Sequence, residues 1–258
     1  MVAGTADTRP PGWPAWNGQA PDGDAIDILW VELEAWAHER PEHTRLLAPA
    51  EHARWAAIRE PLARTRFGAA RAWLRTMLAR ASTTEPTAVR FERGPHGKPA
   101  WLDPRGVPVL QFNLSRSGPY AVLALASRAA LGVDVEVLRE LPDCDELEPL
   151  VLAPNERARV AALDVVERSR EFLRCWTRKE AVSKGLGTGL ALDPRAFEIG
   201  AEARFAWASA EASGGLAQPD LARELTEWSV RDVEPPAPCA LALAARGHAP
   251  HVRCWSAA

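Results

Sequence analysis

Apolar positions set the first boundaries along the chain. Asp27-Ile-Leu-Trp-Val-Glu-Leu33 reads as a first strand, and from Pro49 to Arg80 the spacing changes to that of helices. That stretch divides at Pro61 into Ala50 to Ile58 and Thr65 to Arg80. In the second piece Phe67, Ala70, Leu74, Met77 and Leu78 share one face, with arginines opposite. Turn residues fill Arg93-Gly-Pro-His-Gly-Lys-Pro99, and a strand is expected after them. Further strands are expected at Val107 to Phe112, Tyr120 to Ser127 and Gly132 to Glu136, the last two joined as a hairpin through Arg128 to Leu131. Asn155 to Leu163 and Arg168 to Lys184 read as helices, the second ended by Gly185-Leu-Gly-Thr-Gly189. Arg204 to Ala208, Thr226 to Asp232 and Cys239 to Ala245 complete a strand-rich second half. Residues 1–23 read as a flexible lead-in, because Pro10-Pro-Gly-Trp-Pro14 enters neither a helix nor a sheet ladder.

One echo bears on organisation. Gly118 to Arg128 (GPYAVLALASR) and Ala237 to Arg246 (APCALALAAR) both run from a proline into an apolar strand ending in arginine. Two similar halves, 24–131 and 132–258, would produce it; so would two unrelated buried strands built from Ala, Leu and Val.

Composition narrows the function classes. A chain of 258 residues, 47% hydrophobic and 25% charged, is an ordinary globular protein with room for one large core or two small ones. With 31 basic and 34 acidic residues it has no general attraction for nucleic acid, so any anion site must be local. Cys144, Cys175, Cys239 and Cys254 form no CxxC pair, which fits a reducing compartment, no disulfide and no structural zinc. No leader pattern and no run of about 18 apolar residues occurs, so a cytoplasmic protein away from membranes is expected.

The candidate chemistry begins at Gly132-Val-Asp-Val-Glu136. The two-residue period of a strand sends Asp134 and Glu136 to one face. Side by side they repel unless a cation answers them, and hard oxygen ligands suit Mg²⁺; a solvated edge strand is the ordinary alternative. Glu180 and Lys184 stand four apart on the expected helix, either as a surface pair or as a third carboxylate with a lysine for a metal-held phosphate. Arg54, Arg66, Arg71 and Arg75 on the long helical segment, with Arg93 and Lys98 around the Gly-Pro-His-Gly bend, supply cations for a polyanion. Arg116 is the oddity, a cation in a tight Ser-Arg-Ser-Gly bend between two apolar runs.

GKP (Gly97 to Pro99), FNLSRSG (Phe112 to Gly118), GVDVE and WTRKEAVSKGLGTGL (Trp176 to Leu190), in that order, resemble the 4′-phosphopantetheinyl transferases of the larger, monomeric type that serve secondary-metabolite synthases. The resemblance spans roughly Asp27 to Ala245 and implies an α/β (α+β) fold of two similar halves related by a pseudo-twofold axis, with coenzyme A in the cleft between them. It implies transfer of the phosphopantetheine arm of coenzyme A to a serine of an acyl- or peptidyl-carrier protein, releasing adenosine 3′,5′-bisphosphate. Asp134, Glu136 and Glu180 would then hold Mg²⁺, with Glu136 at a position of variable type in the family pattern. Glu180 would serve as base, directly or through water, and Lys184 would contact the phosphates. Arg54, Arg93, Lys98, Asn113, Ser115 and Arg116 fall on the adenine and 3′-phosphate side. Arg116 stands where the pattern commonly has histidine, which motivates the alternative of an inactive coenzyme A-binding paralogue. A Mg²⁺-dependent phosphatase or nuclease would also cluster carboxylates but leaves GKP and FNLSRSG unexplained.

Overall fold

The computed structural model describes residues 12–94, 96–102, 108–189, 192–200, 205–207, 223–247 and 250–257. Alternation in the first strand places Ile26, Ile28 and Trp30 on one face and Leu29 and Val31 on the other, so β1 (Ala25–Glu32) is buried on both sides. It is followed by α1 (Leu33–Glu39), a short helix where the strand was expected to run on to Leu33. The long helical stretch divides as expected into α2 (Pro49–Ala57) and α3 (Pro61–Ser82). Helix α3 begins four residues earlier than its apolar face indicates because Pro61 fits its first turn and the Glu60 carboxylate accepts the N–H groups of Leu62 and Ala63.

The strands β2 (Glu92–Arg93), β3 (Pro99–Leu102), β4 (Pro108–Ser117) and β5 (Tyr120–Ala126) join β1 in a six-stranded sheet. Its order is β11-β1-β5-β4-β3-β2, where β11 (His251–Ser256) returns from the C-terminal end of the sequence to pair in parallel with β1. A three-stranded sheet, β6-β10-β9, is made by β6 (Leu131–Val137), β10 (Cys239–Arg246) and β9 (Trp228–Asp232). Between β6 and β9 in sequence lie α4 (Cys144–Val151), α5 (Pro154–Ala161), α6 (Val165–Leu186) and a small pair, β7 (Phe197–Ile199) with β8 (Phe205–Trp207). Residues 204 and 208 of the strand expected there lie outside the described residues, as do residues 1–11 of the lead-in and Pro95 of the bend. Residues 12–23 are not loose: Trp16 is buried, and its backbone N–H donates to the Ser256 carbonyl at 2.9 Å.

The chain thus stacks in four layers. Helix α3 covers one face of the larger sheet, with Trp73, Leu74, Met77 and Leu78 against Leu29, Leu123 and Leu125. The other face meets the small sheet, Ile26, Ile28, Val122 and Ala124 against Val133, Val135, Leu241 and Leu243. Helix α6 covers the far side through Ala181 and Val182 against Ala242 and Ala244. The two echoed stretches become β5 and β10, each the middle strand of an antiparallel trio, β1-β5-β4 and β6-β10-β9, and α3 and α6 are both 22 residues long.

The expected hairpin between β5 and β6 is not formed, since the two strands belong to different sheets. The apolar runs are adjacent in sequence, but β6 takes its backbone ladder from β10, and its other edge is met by side chains of β4. The N–H groups of Val133, Val135 and Val137 donate to Asn113 Oδ1 (2.9 Å), Ser115 Oγ (3.4 Å) and Ser117 Oγ (3.0 Å). Short polar residues at every second position of FNLSRSG therefore do the work of a neighbouring strand, and buried N–H groups that would otherwise be costly are satisfied.

Candidate active site

Two features meet along β4. On one side is a cleft of about 530 Å³ lined, among the described residues, by six arginines, Arg54, Arg71, Arg75, Arg90, Arg93 and Arg116, and by one carboxylate, Glu51. Glu51 accepts Arg71 Nε at 2.7 Å and Arg75 Nε at 2.9 Å, and also the Ala48 N–H. Burial pushes its carboxyl pKa up, but these donors outweigh burial and leave it below the ordinary value. Arg71 and Arg75 lie over Phe91, and Arg54 stacks on Phe67 at 5.4 Å. Among the described residues Arg54, Arg90, Arg93 and Arg116 have no carboxylate partner. Loss of hydration between the walls, reinforced by Arg71 and Arg54, lowers the pKa of Arg116, yet a guanidinium remains charged at any working pH. The cleft is therefore a basin of positive charge with an aromatic lining.

On the other side lie the acidic residues. Asp134 is buried; its Oδ1 accepts Ser115 Oγ at 2.7 Å and the Lys184 ammonium, while its Oδ2 has no partner. Burial raises its pKa to about 6 despite Lys184 and Ser115, and the neighbouring Glu136 adds to the rise. Glu136 accepts Ser117 Oγ at 2.7 Å. Glu180 is half-buried on α6, and its carboxyl pKa is raised by burial and by Glu136 while Lys184 pulls it down. Instead of forming a surface pair with Glu180, Lys184 turns to Asp134 and Ser115.

This approach of α6 to β6 requires two glycines. A Cβ on Gly132 would lie 2.1 Å from the Ala181 carbonyl oxygen and 2.3 Å from the Gly185 nitrogen, and one on Gly185 would strike the Trp228 ring at 2.5 Å. The glycines of GVDVE and SKG are thus where strand and helix backbones touch, and this contact brings Lys184 to Asp134.

The structure collects Arg54, Arg93, Asn113 and Arg116 in the cleft, and Asp134, Glu136, Glu180 and Lys184 around the β6 and α6 contact. It does not bring Lys98 or Ser115 into the cleft lining. The Lys98 ammonium donates to the carbonyls of Leu131 and Gly185, both at 2.9 Å, and burial lowers its pKa to about 8. Ser115 has spent its hydrogen on Asp134 and its lone pairs on Lys184 and Val135. Sequence reasoning missed Glu51 and Arg90; Glu51 meets Arg71 and Arg75 from another helix, so no local spacing signals it. It also left Lys179 without a role: fully buried, it pairs with Glu156 at 2.8 Å and donates to the Pro194 and Phe197 carbonyls, fastening α6 to α5 and β7.

Three carboxylates carry hard oxygens, and among the described residues the buried Asp134 Oδ2 lacks a partner, which is the chemistry a divalent cation would satisfy. Among the described residues, however, no three His, Cys, Asp or Glu side chains stand close enough to grip an ion, and Asp134 is answered by Lys184.

A model of the 4′-phosphopantetheinyl transferase superfamily matches residues 130–212, the span from β6 through α6 that carries these groups. HetI, a 4′-phosphopantetheinyl transferase of Nostoc sp., is 28% identical over 232 residues, covering 90% of this chain and 92% of its own length. This chain is thus similar to proteins of that superfamily. Other similar superfamily proteins include a putative 4′-phosphopantetheinyl transferase of Synechocystis sp., 33% identical over 152 residues, with 58% of this chain and 61% of the relative covered. A phosphopantetheinyl transferase of Thraustochytrium sp. is 29% identical over 200 residues, 70% of this chain and 68% of its own. The superfamily match includes both Asp134 and Glu180, whereas the arginine cleft precedes it in sequence.

Proposed function

We propose that the protein is a monomeric, Mg²⁺-dependent 4′-phosphopantetheinyl transferase that moves the phosphopantetheine arm of coenzyme A to a serine of an acyl- or peptidyl-carrier domain of a fatty-acid, polyketide or nonribosomal peptide synthase. The observation that carries the proposal is the joining, along β4, of a six-arginine cleft to Asp134, Glu136 and Lys184, with Glu180 close enough to feel the charges of Glu136 and Lys184. A substrate with a phosphorylated adenosine at one end and a pyrophosphate in the middle has charge to satisfy both. The repeated order β1-β5-β4 and β6-β10-β9, each with a 22-residue helix, supports two halves related by a pseudo-twofold axis, so that one chain supplies both walls of the site.

Each residue then has a task. Arg54, Arg90, Arg93 and Arg116, free of carboxylates among the described residues, bind the 3′-phosphate and adenine end, while Glu51 holds Arg71 and Arg75 in place behind them. Asp134, Glu136 and Glu180 would hold Mg²⁺, which when bound neutralises charge on the pyrophosphate and on the departing bisphosphate. Lys184, which pairs with Asp134 in this structure, would contact a phosphate oxygen of the bound substrate. The carrier serine oxygen bonds to the phosphorus next to the pantetheine, the bond from that phosphorus to adenosine 3′,5′-bisphosphate breaks, and Glu180 takes the serine proton directly or through water. Partial burial supports that role, because a raised carboxyl pKa makes Glu180 a better base near neutrality.

Replacement of Glu180 by Gln separates transfer from binding. Glu180→Gln is expected to lower kcat by about 10²-fold or more while coenzyme A still raises the thermal unfolding midpoint. Wild-type turnover in that variant would remove Glu180 from the mechanism; no midpoint shift with coenzyme A even in the wild type would favour a phosphatase or nuclease of other substrates.

A further inference from the structure

We infer that Glu51 is a positioning residue: its carboxylate clamps α2 onto α3 and thereby holds Arg54, three residues further along α2, at the wall of the arginine cleft. The inference rests on the proposed seat of the phosphorylated adenosine in that cleft and concerns a carboxylate to which the proposal gives no contact with substrate.

A helix ordinarily keeps its place by burying an apolar stripe, and α2 has no such stripe: none of its nine residues is buried. What it sets against α3 is Glu51, Arg54 and Trp55, which the i, i+3, i+4 spacing brings to one face. Trp55 lies on Gly68, where a Cβ would come within 3.0 Å of the indole ring, and the Arg54 guanidinium stacks on Phe67 at 5.4 Å. Glu51 makes the charged contacts. It accepts Arg71 Nε at 2.7 Å and Arg75 Nε at 2.9 Å, and it ties itself to the start of its own helix through the Ala48 N–H at 2.9 Å. Arg75 has a second anchor, since it is buried on α3 and donates to the Val89 carbonyl at 2.6 Å. The ion pairs therefore fasten the exposed helix to the core helix. Arg54 is itself exposed and has no carboxylate partner among the described residues, so its place in the cleft follows from where α2 lies.

Charge alone predicts the opposite effect from positioning. Glu51 is the one carboxylate among the described lining residues, and a negative charge in an anion cleft repels the ligand, so its removal would strengthen binding if it did nothing else. Binding of adenosine 3′,5′-bisphosphate and of coenzyme A to the full chain is measured by titration calorimetry, without any transfer reaction, beside the thermal unfolding midpoint. Glu51→Gln is expected to weaken both ligands about tenfold although it removes a negative charge. The fold is expected to persist with a cooperative thermal transition, because no buried residue of α2 is lost. In an Arg54→Ala background the same substitution is expected to leave affinity unchanged or to raise it, since only the charge effect remains. Equal or tighter binding by Glu51→Gln in the otherwise wild-type protein, or an equal further loss in the Arg54→Ala background, would overturn the inference while leaving the proposed function standing. Absence of binding of either ligand by the wild-type protein would overturn the reading of the cleft itself and the inference with it.

Discussion

Arg116 shows how a single side chain tests the cleft. Facing Arg54 and Arg71 across a cavity that strips part of its water, it gains nothing from its own protein and is stabilised only by an anion that enters. Coenzyme A affinity in the wild type is therefore expected to show no loss between about pH 6 and 8 from this position. Arg116→His is expected to introduce a loss of about tenfold, measured by titration calorimetry across that range; a variant profile matching wild type would mean Arg116 does not touch phosphate. Asp134 gives the opposite kind of pH signal. Its folded-state pKa of about 6 lies above the ordinary 3.8, so between those values the folded chain holds a proton that the unfolded chain has released. Its contribution to stability is then fully present below the ordinary value and is lost as pH rises through about 6. In metal-free protein, the midpoint of Asp134→Asn is expected to climb relative to wild type from pH 4 to pH 7, as read by calorimetry; a constant difference would contradict the raised pKa.

At the level of elements, the helices and most strands were legible because burial has a period: Phe67, Ala70, Leu74, Met77 and Leu78 do face the core around α3. Helices α1 and α4 were not, since each is a turn or two long and carries too few apolar positions to show a period. The β5 and β6 hairpin failed for a different reason. Sequence pattern reports that a strand is buried, not which edge it pairs with, and here β6 meets β4 through side chains alone. The nearness of Asp134 to Lys184 was legible because both sit in ordered motifs, whereas partners from distant segments, as with Glu51 and its two arginines, leave no local signal. Backbone contact between β6 and α6 is the element-scale feature most open to test. Gly132→Ala puts a methyl group against the Ala181 carbonyl and is expected to cost about 3 kcal/mol or more, at the upper end of ordinary overpacking, in urea unfolding. A loss below about 1 kcal/mol would mean that strand and helix separate easily and that the glycines are not required by their approach.

The whole molecule is a stack in which the candidate residues come from both sheets. The larger sheet, α2 and α3 carry cleft arginines; the smaller sheet and α6 carry the candidate carboxylates and Lys184; and β4 borders both. No described helix is long and apolar enough to cross a membrane. Lys179 with Glu156 fastens α6 to α5, and Glu180, the next residue, is turned about 100° around the helix from that buried pair. That arrangement suits the proposed substrate, which carries phosphate at one end and a pyrophosphate in the middle. The proposed reaction is tested directly by the intact mass of apo carrier proteins, acyl and peptidyl types alike, after incubation with this protein, coenzyme A and Mg²⁺. A gain equal to one phosphopantetheine group on the carrier serine is expected, with adenosine 3′,5′-bisphosphate released in equal amount; unmodified carriers across the whole panel would contradict the reaction.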